Sequence, residues 1–374
     1  MSSVRPALLR DLHESLGATF GEFAGWEVPM AYTSTLEEHM AVRTSVGIFD
    51  ISHMGRIRLR GPDADALLEL AFTKRVSKTK EGFMSGPTLA LNENARVIDD
   101  EMWYRVGPEE WLAVPNAAAR ERIKSHLSQL ASQRGLKVTI EDLTERYAML
   151  AIQGPRSPEI MAKLGAPWAT DLKPLEFRLN ERLGEYQAFL VSRSGWTGED
   201  GFEVWAEPGE AAKIFRRAVE LGAKPTGIAA RDTLRIEMGY VLGGNEYGED
   251  PVKFPCALSL RYGLGAIDWD KTGFVGEAAL RACRREGVRW IRIGLEMKKS
   301  SARFIPRTGY RIYVDDVEVG WVTSGTYSPV LERGIGQGYV DVRYALFDEP
   351  VEVVDERGRR GQAKLRDFPL IRRR

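Results

Sequence analysis

Apolar positions along this chain change their period from segment to segment, and the changes mark out its elements. Residues 4–18 and the stretch from Leu36 to Ser45 (LEEHMAVRTS) carry the spacing of helices. Between them, Phe23-Ala-Gly-Trp26-Glu-Val-Pro-Met30 is aromatic and broken by glycine and proline, a composition that folds backbone closely over a core or a ligand. Gly47 to Gly55 reads as a strand leading to a glycine turn, and Arg56 to Arg60 alternates as a half-buried strand. Pro62 to Ala71 is a helix with proline near its start. Thr88 to Leu91, a turn at Asn92–Asn94 and a second arm from Val97 to Val106 make a hairpin. Trp111 to Val114 is a strand, Ala117 to Gln133 an amphipathic helix, and Val138 onward gives two strands with a polar turn between them.

Gln153-Gly154-Pro155 ends a strand and opens a helix that runs to about Leu164. A hairpin occupies about 175–193. Then Arg193-Ser-Gly-Trp-Thr-Gly-Glu-Asp-Gly-Phe-Glu203-Val204 runs from a glycine-punctuated turn into a strand. Ala230-Arg231-Asp232-Thr233-Leu234-Arg235-Ile236-Glu237 follows on an amphipathic helix. Glu203 and Arg231 are thereby set on rigid elements, and such a pair can grip a flat heterocycle that has amide-like donors and an acceptor. After a helix at 276–285 the text becomes short β segments (WIRIGLEM, YRIYVDD, VEVGWVTSG, IGQGYVDV, PVEVVDE, GQAKLRDF). Their spacing predicts a small all-β barrel or sandwich, with a domain boundary near 280–288.

Composition narrows the class. At 374 residues two or three domains are expected, and 53 basic against 53 acidic residues favour neither a nucleic-acid nor a membrane surface. The two cysteines, Cys256 and Cys283, with no CxxC, rule out a disulfide framework and point to the cytoplasm. The histidines are scattered, so no metal site is expected. The N-terminus lacks the apolar run of a signal peptide, and Arg372-Arg373-Arg374 reads as a solvated tail.

Asp99 and Asp100 adjoin on a predicted strand and so point to opposite faces. One face carries Ile98, Asp100, Met102 and Tyr104; a carboxylate among these would be partly desolvated, with a raised pKa. Two strand acids near a turn is the plainer alternative. Glu203, between Phe202 and Val204, projects away from their face, either to solvent or to a ligand.

Seven segments now converge. FAGWEVPMAY (23–32), VRTSVGIFDISHMG (42–55), NENARVIDD (92–100), AIQGP (151–155), RSGWTGEDGFEV (193–204), GIAARDTLRIE (227–237) and VTSGTYSPVL (322–331) stand in the order and spacing of the glycine cleavage system T-protein family. The resemblance covers essentially the whole chain. It implies a tetrahydrofolate-dependent aminomethyltransferase that takes the aminomethyl group from lipoylated H-protein and yields ammonia and 5,10-methylenetetrahydrofolate. It also implies an α+β, multi-domain folate-binding fold, with 1–50 plus 141–280 as the core, 51–140 as a second lobe, and 288–374 as a C-terminal β-barrel.

The family's essential aspartate falls on Asp100, its pterin-binding glutamate on Glu203 and its folate-contacting arginine on Arg231. Trp196 stands where the family usually has tyrosine and keeps an aromatic wall. Met54, Asn116 and Tyr104 complete the expected folate contacts; His53 is read as a packed strand histidine rather than a base. The chain departs from the family at Ala95-Arg96, where a glycine pair is usual, at Pro87, and across 252–260. A folate-dependent S- or O-demethylase on the same scaffold is the alternative reading. A folate-binding accessory protein of iron–sulphur assembly would carry a KGCYxGQ segment, which is absent here.

Overall fold

The computed structural model describes residues 4–261 and 264–372; Arg373 and Arg374, the end of the expected tail, lie outside them. In chain order, α1 (Arg10–Ser15) precedes β1 (Thr19–Phe23) and β2 (Trp26–Ala31), then α2 (Thr35–Thr44), β3 (Gly47–Asp50), β4 (Ile57–Arg60) and α3 (Ala64–Ala71). Next come β5 (Thr88–Leu91), β6 (Val97–Glu101), β7 (Trp103–Gly107), β8 (Glu110–Ala113), α4 (Arg120–Arg134), β9 (Thr139–Asp142) and β10 (Ala148–Gln153). They are followed by α5 (Ser157–Lys163), β11 (Phe177–Leu183), β12 (Tyr186–Ser192), β13 (Gly201–Ala206), α6 (Pro208–Glu220), β14 (Lys224–Pro225) and α7 (Ile228–Met238). The remainder is α8 (Glu277–Glu286), β15 (Trp290–Met297), β16 (Arg311–Val314), β17 (Val317–Ser328), β18 (Arg333–Asp341), β19 (Pro350–Val354) and β20 (Arg360–Arg366).

Packing divides the chain into two units. One comprises Met1–Ala90, Asp99–Arg231 and Gly265–Phe274; the other comprises Leu91–Ile98, Asp232–Leu264 and Val275–Arg374. This partition is discontinuous along the chain.

In the first unit a six-stranded sheet runs in the order β11-β12-β13-β10-β3-β14, and a four-stranded sheet in the order β7-β8-β4-β9. One face of the larger sheet supplies a core of Ile48, Leu150, Ile152, Val191, Phe202 and Val204. Helix α6 closes that face. Pro208 occupies its first position, and Ala211, Ile214, Phe215 and Ala218 fall at helical spacing on its buried side. Because side chains alternate along a strand, Glu203 is left on the opposite face from Phe202 and Val204.

In the second unit β15-β18-β17-β16-β19-β20 close into a barrel, deciding between the two architectures that the spacing allowed. Its interior is read off at period two: Ile293, Leu295 and Met297, then Val351 and Val353, then Ala363 and Leu365.

Three expectations are corrected. Helix α1 covers only the end of 4–18: Arg5 bridges to Trp26, and Pro6 disfavours helical backbone in the residue before it. The arm expected from Val97 to Val106 breaks at Met102, so β6 pairs with β5 while β7 joins β8 in another sheet. Cys256 and Cys283 are bonded across a sequence separation of 27, a single pairing that cysteine count and spacing do not reveal.

Candidate active site

The glycines that puncture the sequence motifs are where those motifs lock together. A Cβ on Gly195 would lie 1.9 Å from Gln153 Oε1, and one on Gly201 2.2 Å from Gln153 Nε2. Only glycine lets the Gln153 amide enter the loop, where Nε2 donates to Ser194 O (2.9 Å) and Oε1 accepts from Thr197 Oγ1 (2.8 Å). Arg193 forks onto Asp200 at 2.9 and 2.6 Å, closing the base of the same loop. The loop is therefore a rigid support for Ser194 and for the strand that carries Glu203.

Helix α7 is anchored just as firmly. A Cβ on Gly227 would meet Met30 O at 2.1 Å, so glycine is needed for the chain to cross β2 there. The buried Glu38 carboxylate accepts from Gly227 N (2.8 Å) and from Tyr32 N and Thr33 N (2.6 and 2.8 Å). This joins the FAGWEVPMAY, LEEH and GIAARD segments and fixes the turn of helix that presents Arg231.

Glu203 lies opposite Ala151 on β10 and Ser192 on β12, and it is only 7% exposed. Its Oε2 accepts from Ser194 Oγ at 2.6 Å, and Ser194 Oγ lies 2.7 Å from Ser192 Oγ. Burial raises the Glu203 pKa against the opposing effects of Ser194 and of the Arg231 charge. The half-buried Arg231 guanidinium is lowered by burial and supported by Glu203. Tyr104 is buried edge-on to Phe177 and Trp205; burial, then the Glu203 charge, holds its hydroxyl well above the usual phenol range.

The turn after β3 is pinned by buried Arg56, whose guanidinium donates to Ser52 O (2.8 Å), Tyr147 O (2.7 Å), Met54 O and Thr144 O. Burial takes its pKa down to about 9. The turn holds a half-buried Met54 beside His53, which sits on a turn and not on a strand. His53 is packed edge-on against Phe23, and burial, then Arg231, lowers its pKa to about 3. It is a neutral imidazole, and its Nδ1 is buried without a hydrogen-bond partner among the described residues. A group so weakly basic cannot take up protons at neutral pH.

Asp100 is 7% exposed and Asp99 fully buried, so both faces of β6 are covered. Asn116 ties them together. Its backbone N–H and Nδ2 donate to Asp99 Oδ2 and Oδ1 (2.9 and 2.8 Å), and Nδ2 also reaches Asp100 Oδ1 at 3.2 Å. Trp196 is half-buried in the glycine loop. Among the described residues, no group of three or more His, Cys, Asp or Glu is arranged to hold a metal ion, and no helix is long and apolar enough to cross a membrane.

Residues 9–262 match the GCVT N-terminal domain, and residues 292–371 match the glycine cleavage T-protein C-terminal barrel domain. The chain belongs to the glycine cleavage T-protein family. It is 66% identical to a probable aminomethyltransferase of Aeropyrum pernix, over 98% of each chain. It is 39% identical to an aminomethyltransferase of Thermus thermophilus, over 97% of this chain and 98% of the relative. The structure of glycine cleavage system aminomethyltransferase T from Bartonella henselae superposes with a TM-score of 0.88 at 29% identity, covering 100% of this chain and 99% of that one.

Within this T-protein frame, the first unit brings Glu203, Arg231, Tyr104 and His53 into one electrostatic neighbourhood, and Asp100 and Asn116 into another. Arg235, one turn further along the same helix, is structural. It donates to Asp232 (2.7 Å), Glu246 (3.0 Å), Tyr240 O (2.9 Å) and Ser324 (2.9 Å). Sequence reasoning missed Ser194 and Glu101. Ser194 lies two residues from Ser192 before the glycine loop, a repeat that carries no signal until the strands pair. Glu101 continues the acid run, and its burial carries no local signal.

The departure at Ala95 also acquires a reason. Ala95 has φ 54°, a left-handed conformation that glycine adopts without cost. Asn92 Oδ1 accepts from Asn94 N and Arg96 N, each at 3.0 Å, and holds the turn in place.

Proposed function

We propose that the protein is the tetrahydrofolate-dependent aminomethyltransferase of the glycine cleavage system. It would take the aminomethyl group from the lipoyl arm of H-protein and give 5,10-methylenetetrahydrofolate, ammonia and the dihydrolipoyl carrier. The observation that carries this reading is buried Glu203 coupled to half-buried Arg231, in the same unit as an aspartate pair oriented by Asn116.

The donor set fits a reduced pterin. A carboxylate offers about four lone-pair sites, and Ser194 takes one at Glu203, leaving capacity for a two-donor edge. Arg231 adds a planar guanidinium, and Trp196, Met54, Asn116 and Tyr104 complete the proposed contacts. When bound, tetrahydrofolate supplies the N5 amine that accepts the one-carbon unit. Glu203 orients the ring by accepting from its N–H groups. Asp100 opposes positive charge that grows as the carbon–nitrogen bond to ammonia breaks, and moves a proton toward the departing nitrogen. Asn116 fixes the direction of that carboxylate. Burial around the acids keeps bulk water from competing for the aminomethyl carbon.

Lipoylated H-protein is the proposed partner. The cytoplasm is the proposed compartment because tetrahydrofolate is an intracellular one-carbon carrier; the Cys256–Cys283 bond withdraws the cysteine argument for it. Titration with tetrahydrofolate, followed by turnover with lipoylated H-protein, tests the proposal. Formation of methylenetetrahydrofolate with release of ammonia supports it. Folate binding with turnover only on methylated sulphur or oxygen donors would replace it with the demethylase.

A further inference from the structure

Three acids in succession, Asp99, Asp100 and Glu101, are 0%, 7% and 3% exposed on β6. Placing several carboxylates together away from water is prohibitive if all are ionised. Strand alternation puts Asp99 and Glu101 on the same side, two residues apart. Asp99 uses both its oxygens as acceptors for Asn116, which is the pattern of a carboxylate. Both Glu101 oxygens are buried with no donor among the described residues directed at them, which is the pattern of a carboxylic acid whose own O–H must find an acceptor. Asp99 is the acceptor adjoining it.

We infer that Glu101 is a positioning residue: its protonated carboxyl donates toward Asp99, leaving Asp99 the charged acceptor on which Asn116 is oriented toward Asp100. The charged groups acting on Glu101 are Asp99 and Asp100, on its own strand. Strand β5, paired with β6, contributes Thr88, Leu89, Ala90 and Leu91, none of which titrates; Asn116 is neutral. Burial, then the two aspartates, holds the Glu101 proton well above the ordinary glutamate range. The role in turnover rests on the aminomethyltransferase reading; the location of the proton does not.

The test uses the full chain without ligand and then with tetrahydrofolate and lipoylated H-protein. Glu101→Gln keeps a donor toward Asp99 and cannot ionise; Glu101→Leu removes the donor. A raised folded pKa means that stability is lost as pH climbs from the ordinary glutamate value, about 4.3, toward the folded one. Wild type should therefore lose about 2–4 °C of melting temperature relative to Glu101→Gln across that window. Glu101→Leu serves for the same comparison if the glutamine variant does not fold. Parallel melting curves would overturn the assigned proton. In turnover, Glu101→Leu should lower kcat about tenfold while folate Kd moves less than about twofold, with most of the loss recovered in Glu101→Gln. An unchanged kcat in Glu101→Leu would overturn the positioning role. Absence of turnover in wild type as well would count against the aminomethyltransferase reading, while the melting comparison would still decide where the proton is.

Discussion

Two buried carboxylate clusters in the first unit look alike by composition and differ in how they are completed. Around Asp50, His13 Nε2 lies at 2.8 Å, Ser52 donates from its backbone N–H at 2.9 Å and from its hydroxyl, and Tyr32 OH lies 2.8 Å from His13 Nδ1. Burial pushes the Asp50 carboxyl up, but the His13 and Ser52 hydrogen bonds outweigh it and hold the pKa below the usual carboxylate range. On β6 and β13, by contrast, the net displacement at Glu101 and Glu203 is upward, with burial the leading cause at both. The Asp50 network includes a serine, a histidine and an aspartate, yet its protein partners absorb it, which makes it a structural cluster. At Glu101 no donor among the described residues reaches the oxygens, and at Glu203 the Ser194 hydroxyl donates to one of them, so at both positions burial outweighs the protein's own hydrogen bonds.

The strongest way to break this comparison is at Asp100. Asp100→Asn should reduce kcat about 10²–10³-fold with tetrahydrofolate still bound, because neutralising one preorganised charge costs about that much in a desolvated site. Melting temperature should not fall, since the substitution relieves crowding among acids. An equal loss of folding and turnover would instead place β6 with the Asp50 cluster as structure. At that cluster the expectation reverses. His13→Ala should lower stability by about 3 kcal/mol, measured by urea unfolding, because it takes the imidazole from both Asp50 and Tyr32 and leaves the buried Asp50 carboxylate with the Ser52 hydrogen bonds. Folate Kd should stay within about twofold. A large change in Kd at preserved stability would make the Asp50 network part of the binding site.

How far the sequence discloses this distinction can be followed residue by residue. Period-two and helical spacing locate most strands and helices, because burial of one face is written locally as hydrophobicity. The β character of the C-terminal segment was legible for the same reason, since interior positions alternate strictly on β15, β19 and β20, but spacing alone did not separate a barrel from a sandwich. Glu203 was legible as facing away from Phe202 and Val204, but not as buried. Its cover depends on the neighbouring strands of the sheet, and that is a property of pairing. The alternation of Asp99 and Asp100 was legible too, yet Asn116, 16 residues beyond Asp100, joins both through one side chain. The break at Met102 and the Cys256–Cys283 bond have no local signature at all. Long-range pairing decides what a charged residue meets, and one sequence gives no direct record of it.

The smallest effect is a contrast in pH dependence at Glu203. Glu203→Gln should weaken tetrahydrofolate about 10–30-fold, the cost of one or two charge-assisted hydrogen bonds. The wild-type protein should then show two opposite slopes. Since burial raises the folded Glu203 pKa, the ligand-free protein is favoured by Glu203 at low pH and loses that contribution as pH rises from about 4.3 toward the folded value. Tetrahydrofolate, which needs the ionised acceptor, should bind more tightly across the same rise. Asp50 contributes with the reverse sign to stability, being lost as pH falls through its lowered folded value. Subtracting the glutamine variant from wild type removes Asp50 and Glu101 from the difference and isolates Glu203. If the difference in melting temperature falls with pH while the difference in binding free energy grows, the carboxylate is held strained for a ligand. If both are flat, Glu203 is already satisfied within the protein and belongs with the structural cluster around Asp50.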